Sequence, residues 1–295
     1  MSLDYRNYRF VIGIGSQRAG STLLHSLLDK ASNVFMHPVK ELHYFDTLNG
    51  YRSSDALKQF SERQLAREID HIVTAPDTSF TRNKRYRCYL RTNKILSRVE
   101  VNEVDYLDLF RPNLAEYKLL GEVTPEYMLL DSDAIARMRD IVGESAAIVM
   151  ICRNPVKRIL SAVKLMSSYN NLQFDDASAG RWLSDMLSRD SSWLKAQDGY
   201  NDYEAAIERF SRFFSRFIAV SYDDLVADPG STADALSRAL EIRISTHDFV
   251  EGARKVTNSL GVDFSFGEGT IAALSDRYAD AERFLRDYFG VPLHC

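Results

Sequence analysis

The segment that most constrains this chain is Phe10-Val-Ile-Gly-Ile-Gly15, an apolar run without alternation, continued directly by Ser16-Gln-Arg-Ala-Gly-Ser-Thr22. A strand that is apolar at every position reads as one covered on both faces, which a parallel sheet between helical layers provides. After the turn, Ser21 or Thr22 can open a helix whose Leu23, Leu24, Leu27 and Leu28 fall on one face. Strand, glycine-punctuated turn and helix stand in the order of a βαβ unit, and a helix N-terminus reached this way is a cradle for a phosphate.

The rest of the chain extends that alternation. Short strands are expected at residues 33–37, stopped by Pro38, at 146–152, and at 217–222. Helices are expected over 53–72, with Leu57, Phe60, Leu65 and Ile69 inward, over 132–142, after Pro155 carrying Arg158, Ser161 and Lys164, from Ser231 onward, and as one closing helix over 270–289. Residues 119–127 read as a short element ending in a loop. Alternating strands and helices select an α/β class: a three-layer, P-loop-like fold with a central, mostly parallel sheet flanked by helices. At 295 residues the chain is expected to form a single domain, 1–295, with an acceptor-side insertion around 50–118. Inside that insertion residues 82–98 hold seven basic side chains and no acidic one, either a solvated helix face or a wall near the site.

Composition excludes several classes. A net charge of −4 gives no basic excess for a nucleic-acid partner. Cys88, Cys152 and Cys295 have neither disulfide nor metal-site spacing, which fits a reducing compartment. No run of about 18 apolar residues occurs, so the expectation is a soluble, cytoplasmic protein without a membrane span. Oligomeric state is not legible at this level.

Gly15 and Gly20 bracket four residues as in a Walker A loop, with Thr22 at the hydroxyl position, but Ser21 stands where that loop carries lysine. A kinase or nucleotide hydrolase uses that lysine with magnesium. Here the cation is Arg18, inside the turn, which suits a phosphate or phosphosulfate held without a metal. A second anion site is expected where Arg153 leaves its strand, with Ser161 about two helical turns along. Glu41, in Pro38-Val-Lys-Glu-Leu-His-Tyr-Phe45, is the candidate base, Lys40 its charge partner or a contact to the transferring group, and His43 the alternative base. Glu122 and Tyr127 flank Thr124-Pro125, where acidic groups would either orient an acceptor or cap a helix.

With these motifs in order, the chain resembles the sulfotransferases that use 3'-phosphoadenosine-5'-phosphosulfate (PAPS), most closely bacterial and glycan-type members. The resemblance implies that Gln17, Arg18, Ala19, Gly20, Ser21 and Thr22 bind the 5'-phosphosulfate. By the same likeness Arg153 and Ser161 bind the 3'-phosphate, and Tyr222, in Ser221-Tyr-Asp-Asp224, lies near the adenine. Lys40-Glu41-Leu-His-Tyr-Phe45 resembles the string that carries the family's catalytic glutamate, and Gly121-Glu-Val-Thr-Pro-Glu-Tyr127 one near the acceptor. Arg254-Lys255 is similar to a late loop over the 3'-phosphate. The implied reaction is in-line sulfuryl transfer to a glycan or small hydroxylated acceptor, releasing adenosine 3',5'-bisphosphate, with no metal required. The rival classes are a P-loop kinase or hydrolase and a non-catalytic nucleotide-binding scaffold.

Overall fold

The computed structural model describes residues 5–254 and 264–290. In chain order its strands are β1 (Arg9–Gly15), β2 (Phe35–Met36), β3 (Leu119–Val123), β4 (Ala147–Cys152) and β5 (Arg216–Ser221). The helices α1 (Ser21–Leu28), α2 (Tyr44–Leu48), α3 (Ser54–Thr74) and α4 (Lys84–Leu96) come before β3. Helix α5 (Ser132–Val142) joins β3 to β4, and α6 (Pro155–Tyr169), α7 (Asp176–Ser188), α8 (Ser192–Gly199) and α9 (Tyr203–Phe213) join β4 to β5. The chain continues through α10 (Tyr222–Ala227), α11 (Pro229–Leu240), α12 (Thr246–Arg254), α13 (Glu268–Arg277) and α14 (Ala279–Phe289).

The sheet runs in the order β2-β3-β1-β4-β5, and every pairing is parallel. Each strand therefore presents its C-terminal end to the same edge. The crossover after β1 runs toward β2 and the one after β4 toward β5, so the chain diverges between these two neighbouring strands. That divergence opens the crevice in which open α/β sheets bind ligands.

Alternation along β1 divides the core. Phe10, Ile12 and Ile14 join one apolar cluster with α2, α5 and α9, while Val11 joins another with α1, α11 and α12. A third cluster, away from the sheet, packs α6, α7, α8 and α13 through Ile159, Leu183, Leu194 and Leu274.

Four sequence expectations change. Residues 119–123 are an interior strand, buried at all five positions, where a short element before a loop was expected; Glu122 interrupts the apolar pattern that marks its neighbours. On α3, Leu57 is buried but Ile69 is 56% exposed, while the same helix is held to α4 through Gln64 with Tyr89 and Glu68 with Tyr86. The closing helix is two, α13 and α14, broken at Tyr278, whose ring turns into the third cluster. Finally, α7, α8 and α9 occupy a stretch for which no element was expected. The basic segment forms α4, capped by Asn83, and Arg85 and Arg91 there are paired with Asp29 and Asp108.

Candidate functional site

The turn after β1 is shaped by close backbone approach. Gly15 has φ +133, and a Cβ there would stand 2.6 Å from the Ile151 nitrogen of β4. Gly20, the N-cap of α1, has φ +100, and its Cβ would meet the Tyr222 ring at 2.5 Å. These two residues let the loop lie flat on β4 and let Tyr222 close its far side.

Between them the loop is anchored residue by residue. The buried Ser16 hydroxyl donates to the Tyr200 carbonyl at 2.6 Å. The Gln17 amide donates to Glu126 at 3.3 Å. Arg153 donates from Nη1 to the Arg18 carbonyl at 2.9 Å, and Arg158 from Nη1 to the Gln17 carbonyl at 3.4 Å. Arg18 itself donates from Nε to Ser161 Oγ at 3.0 Å, so the loop after β1 and the helix after β4 meet through Arg18–Ser161 as well as through Arg158–Gln17.

Arg18, Gly20, Ser21, Thr22, Arg153, Ser161 and Tyr222 line a small polar cavity of about 170 Å³ at this junction. Arg153 lies over the Tyr222 ring, 4.7 Å from its centroid, and its Nε is buried without a partner. The Arg153 backbone is pinned from behind, where the buried Tyr203 hydroxyl donates to its carbonyl at 2.9 Å. Burial, then the nearby Arg153 charge, lower the pKa of Arg18. Neither arginine is ion-paired to a carboxylate among the described residues. Two guanidinium groups, an unpartnered N–H and the N-terminus of α1 therefore converge on one cavity, the electrostatic complement of a multiply charged anion.

A second group of side chains lies beyond Gln17. Lys40 and Glu41 form an ion pair, with the Glu41 side chain 37% exposed. His43, in left-handed backbone at the start of α2, points Nδ1 at Asp46 Oδ2, 2.7 Å away, and Nε2 at Glu41 Oε2, 3.7 Å away. Burial disfavours the imidazolium, but hydrogen bonds to Asp46 and Glu41 outweigh it and raise the His43 pKa to about 9. Burial likewise pushes Glu41 up, and the hydrogen bond to His43 with the Lys40 charge brings it down to about 2. Glu126 is shifted upward by burial, and its Oε2 is buried without a hydrogen bond. Ligand atoms of Glu41, His43 and Glu126 lie within 4.8 Å of one another, and Lys40 and His43 lie against the Glu41 carboxylate.

Of the residues singled out from the sequence, Arg18, Gly20, Ser21, Thr22, Arg153, Ser161 and Tyr222 line the cavity and others do not. Ala19 is fully buried and Gln17 turns toward Glu126, so neither side chain lines the cavity. Arg254 is exposed at the end of α12 and is not among the lining residues; Lys255 falls outside the described residues. Glu122 does not face an acceptor or cap a helix. It is fully buried and accepts from Tyr106, Thr124, Tyr127 and the Leu42 amide, and burial raises its pKa to about 7 against those bonds. Asp46, Tyr200 and Arg158 were not anticipated; only the i, i+3 spacing of His43 and Asp46 offered a signal.

The model of the Sulfotransferase family matches residues 10–246. The chain is similar to a solved sulfotransferase from Alicyclobacillus acidocaldarius, with 16% identity, a TM-score of 0.55, and 96% of each chain covered. It is also similar to the sulfotransferase domain from the curacin biosynthetic pathway, with 14% identity, a TM-score of 0.52, and 97% of this chain and 99% of that one covered. At these identities the likeness is one of fold. No curated protein sequence matches.

Proposed function

The chain belongs to the Sulfotransferase family, and from that premise we propose that it moves a sulfuryl group from PAPS to an acceptor hydroxyl, with Glu41 as the base. The observation that carries the reading is the cavity where Arg18 and Ser161 meet, because it joins two anion sites from adjacent strands into one cleft. A donor phosphorylated at both ends needs such a pair. The orphaned Nε of Arg153, and the absence among the described residues of acids ion-paired to Arg18 or Arg153, fit a group that brings its own negative charge. Ser21 in the lysine position of the loop argues for this donor over a magnesium nucleotide.

When bound, the donor supplies an electrophilic sulfur and a phosphate leaving group. Arg18, Ser21, Thr22 and the first N–H groups of α1 hold the phosphosulfate end, Arg153 and Ser161 the 3'-phosphate, and Tyr222 packs near the adenine. Glu41 accepts the proton of the acceptor hydroxyl as its oxygen forms a bond to sulfur and the bond from sulfur to the leaving phosphate breaks. Negative charge grows on that phosphate, and Arg18 stabilises it there. His43, as an imidazolium clamped by Asp46, orients Glu41 and is not itself a base at neutral pH. If Lys40 turns to the sulfuryl oxygens, Glu41 loses a cationic partner and becomes more basic as transfer begins. The acceptor, a glycan or small hydroxylated molecule, enters from the side of the β2–β3 crossover in a single domain of 1–295.

Calorimetric titration tests the donor. Adenosine 3',5'-bisphosphate should bind without magnesium and far more tightly than ADP; a preference for ATP with magnesium would overturn the assignment.

A further inference from the structure

Arg158 is the largest fully buried side chain among the described residues, with 0% exposure, and it does not line the cavity of Arg18 and Arg153. Its guanidinium donates to Asn201 Oδ1 at 2.6 Å, Gln197 Oε1 at 3.0 Å, the Gln197 carbonyl at 3.1 Å and the Gln17 carbonyl at 3.4 Å. All four acceptors are neutral. Asp198, next to Gln197, is taken up by Arg277 and Tyr278, and no carboxylate pairs with Arg158 among the described residues. A buried charge is costly when only neutral acceptors meet it, and the missing counter-charge calls for an explanation.

We propose that Arg158 is a positioning residue for the donor loop, supplying from behind both an anchor for the Gln17 carbonyl and a fixed positive charge that the incoming anion neutralises. The inference rests on the donor reading above for its ligand. Consecutive carbonyls, Gln17 and Arg18, are each held by a guanidinium, one buried and one facing the cavity. With those carbonyls anchored by donors, the loop is set before any ligand arrives, and preorganised dipoles need no rearrangement on binding. Three guanidinium groups, of Arg18, Arg153 and Arg158, then act on one loop, none of them ion-paired to a carboxylate among the described residues, and low-dielectric surroundings extend the field of the buried one into the cavity.

The decisive variant is Asn201→Asp, which keeps size and hydrogen bond but sets a carboxylate against Arg158. Asn201→Leu removes the hydrogen bond without adding charge and serves as the comparison. Calorimetry would use adenosine 5'-monophosphate, adenosine 3',5'-bisphosphate and adenosine 3'-monophosphate, with unfolding midpoints measured on the ligand-free proteins. Asn201→Asp should weaken both ligands that carry a 5'-phosphate about tenfold, the scale of one charge-assisted interaction, and leave 3'-monophosphate binding unchanged. Its unfolding midpoint should not fall. Wild-type affinity in Asn201→Asp, or an equal loss in Asn201→Leu, would overturn the proposal. Should the wild-type protein bind ATP rather than the bisphosphate, the donor reading fails, and the same ratio of variant to wild type, read on ATP, still decides the role of Arg158.

Discussion

Replacing Gly20 by alanine tests the geometry on which the donor cavity depends. The residue sits at φ +100, where an L-side chain costs roughly 1–2 kcal/mol. The added Cβ would also stand 2.5 Å from Tyr222 Cδ2 and 2.8 Å from Cε2, so the ring must retreat by about 1 Å to reach ordinary carbon contact. Overpacking of this kind costs about 1–3 kcal/mol. Together the two effects predict a loss of about 2–5 kcal/mol, a large part of the stability of an ordinary domain. They also separate cleanly. In the double variant Gly20→Ala/Tyr222→Ala the clash is gone and only backbone strain remains, so the pair should be less destabilised than the sum of the single variants by about 1–3 kcal/mol. Urea denaturation of the four proteins measures this coupling. Additive losses, within about 0.5 kcal/mol, would refute the packing of Tyr222 against the loop.

Two further predictions concern the acidic cluster. Glu41→Gln should lower kcat about 100-fold while the affinity for adenosine 3',5'-bisphosphate stays near wild type, and an unchanged rate would remove Glu41 as the base. His43 has its pKa raised to about 9, so the stability it contributes is complete below its unfolded value near 6.5 and is lost as pH rises from there to about 9. The loss reaches at most about 3 kcal/mol. Stability of the His43→Gln variant, followed by urea denaturation across that window, should be flatter than wild type; parallel curves would sink the clamp.

The parts of this protein that were legible in its sequence are those whose chemistry is local. Gly15, Arg18, Gly20 and Ser21 mark the turn and the helix start, because turn, cation and helix start must be contiguous for the anion loop proposed here. That Arg153 and Ser161 would lie together could be read because both lie on one strand-to-helix unit. The rest depends on contacts between distant segments. Glu122 broke the apolar pattern of β3, so the segment read only as a short element ending in a loop and not as an interior strand, although its carboxylate is the interior hub of four hydrogen bonds. Ile69 looked inward by helical period, but period names a face and not what covers it. Arg158 read as a passenger on a helix because a buried arginine without an acid is what sequence reasoning expects least. Its partners Gln197 and Asn201 come from α8 and the loop after it, a stretch without an apolar strand to mark it.

The order of the strands also bears on how such a protein can diversify. The donor loop follows β1 and the second arginine follows β4, and these strands are direct neighbours. The long crossover between β2 and β3, which carries α2, α3 and α4, enters and leaves on the opposite side of β1. Lineages can therefore lengthen, shorten or exchange that crossover while the strand pair beneath the cavity keeps its register. If the cavity holds the donor as proposed, a chimera joined at the ends of β2 and β3 should inherit its nucleotide from one parent and its acceptor from the other.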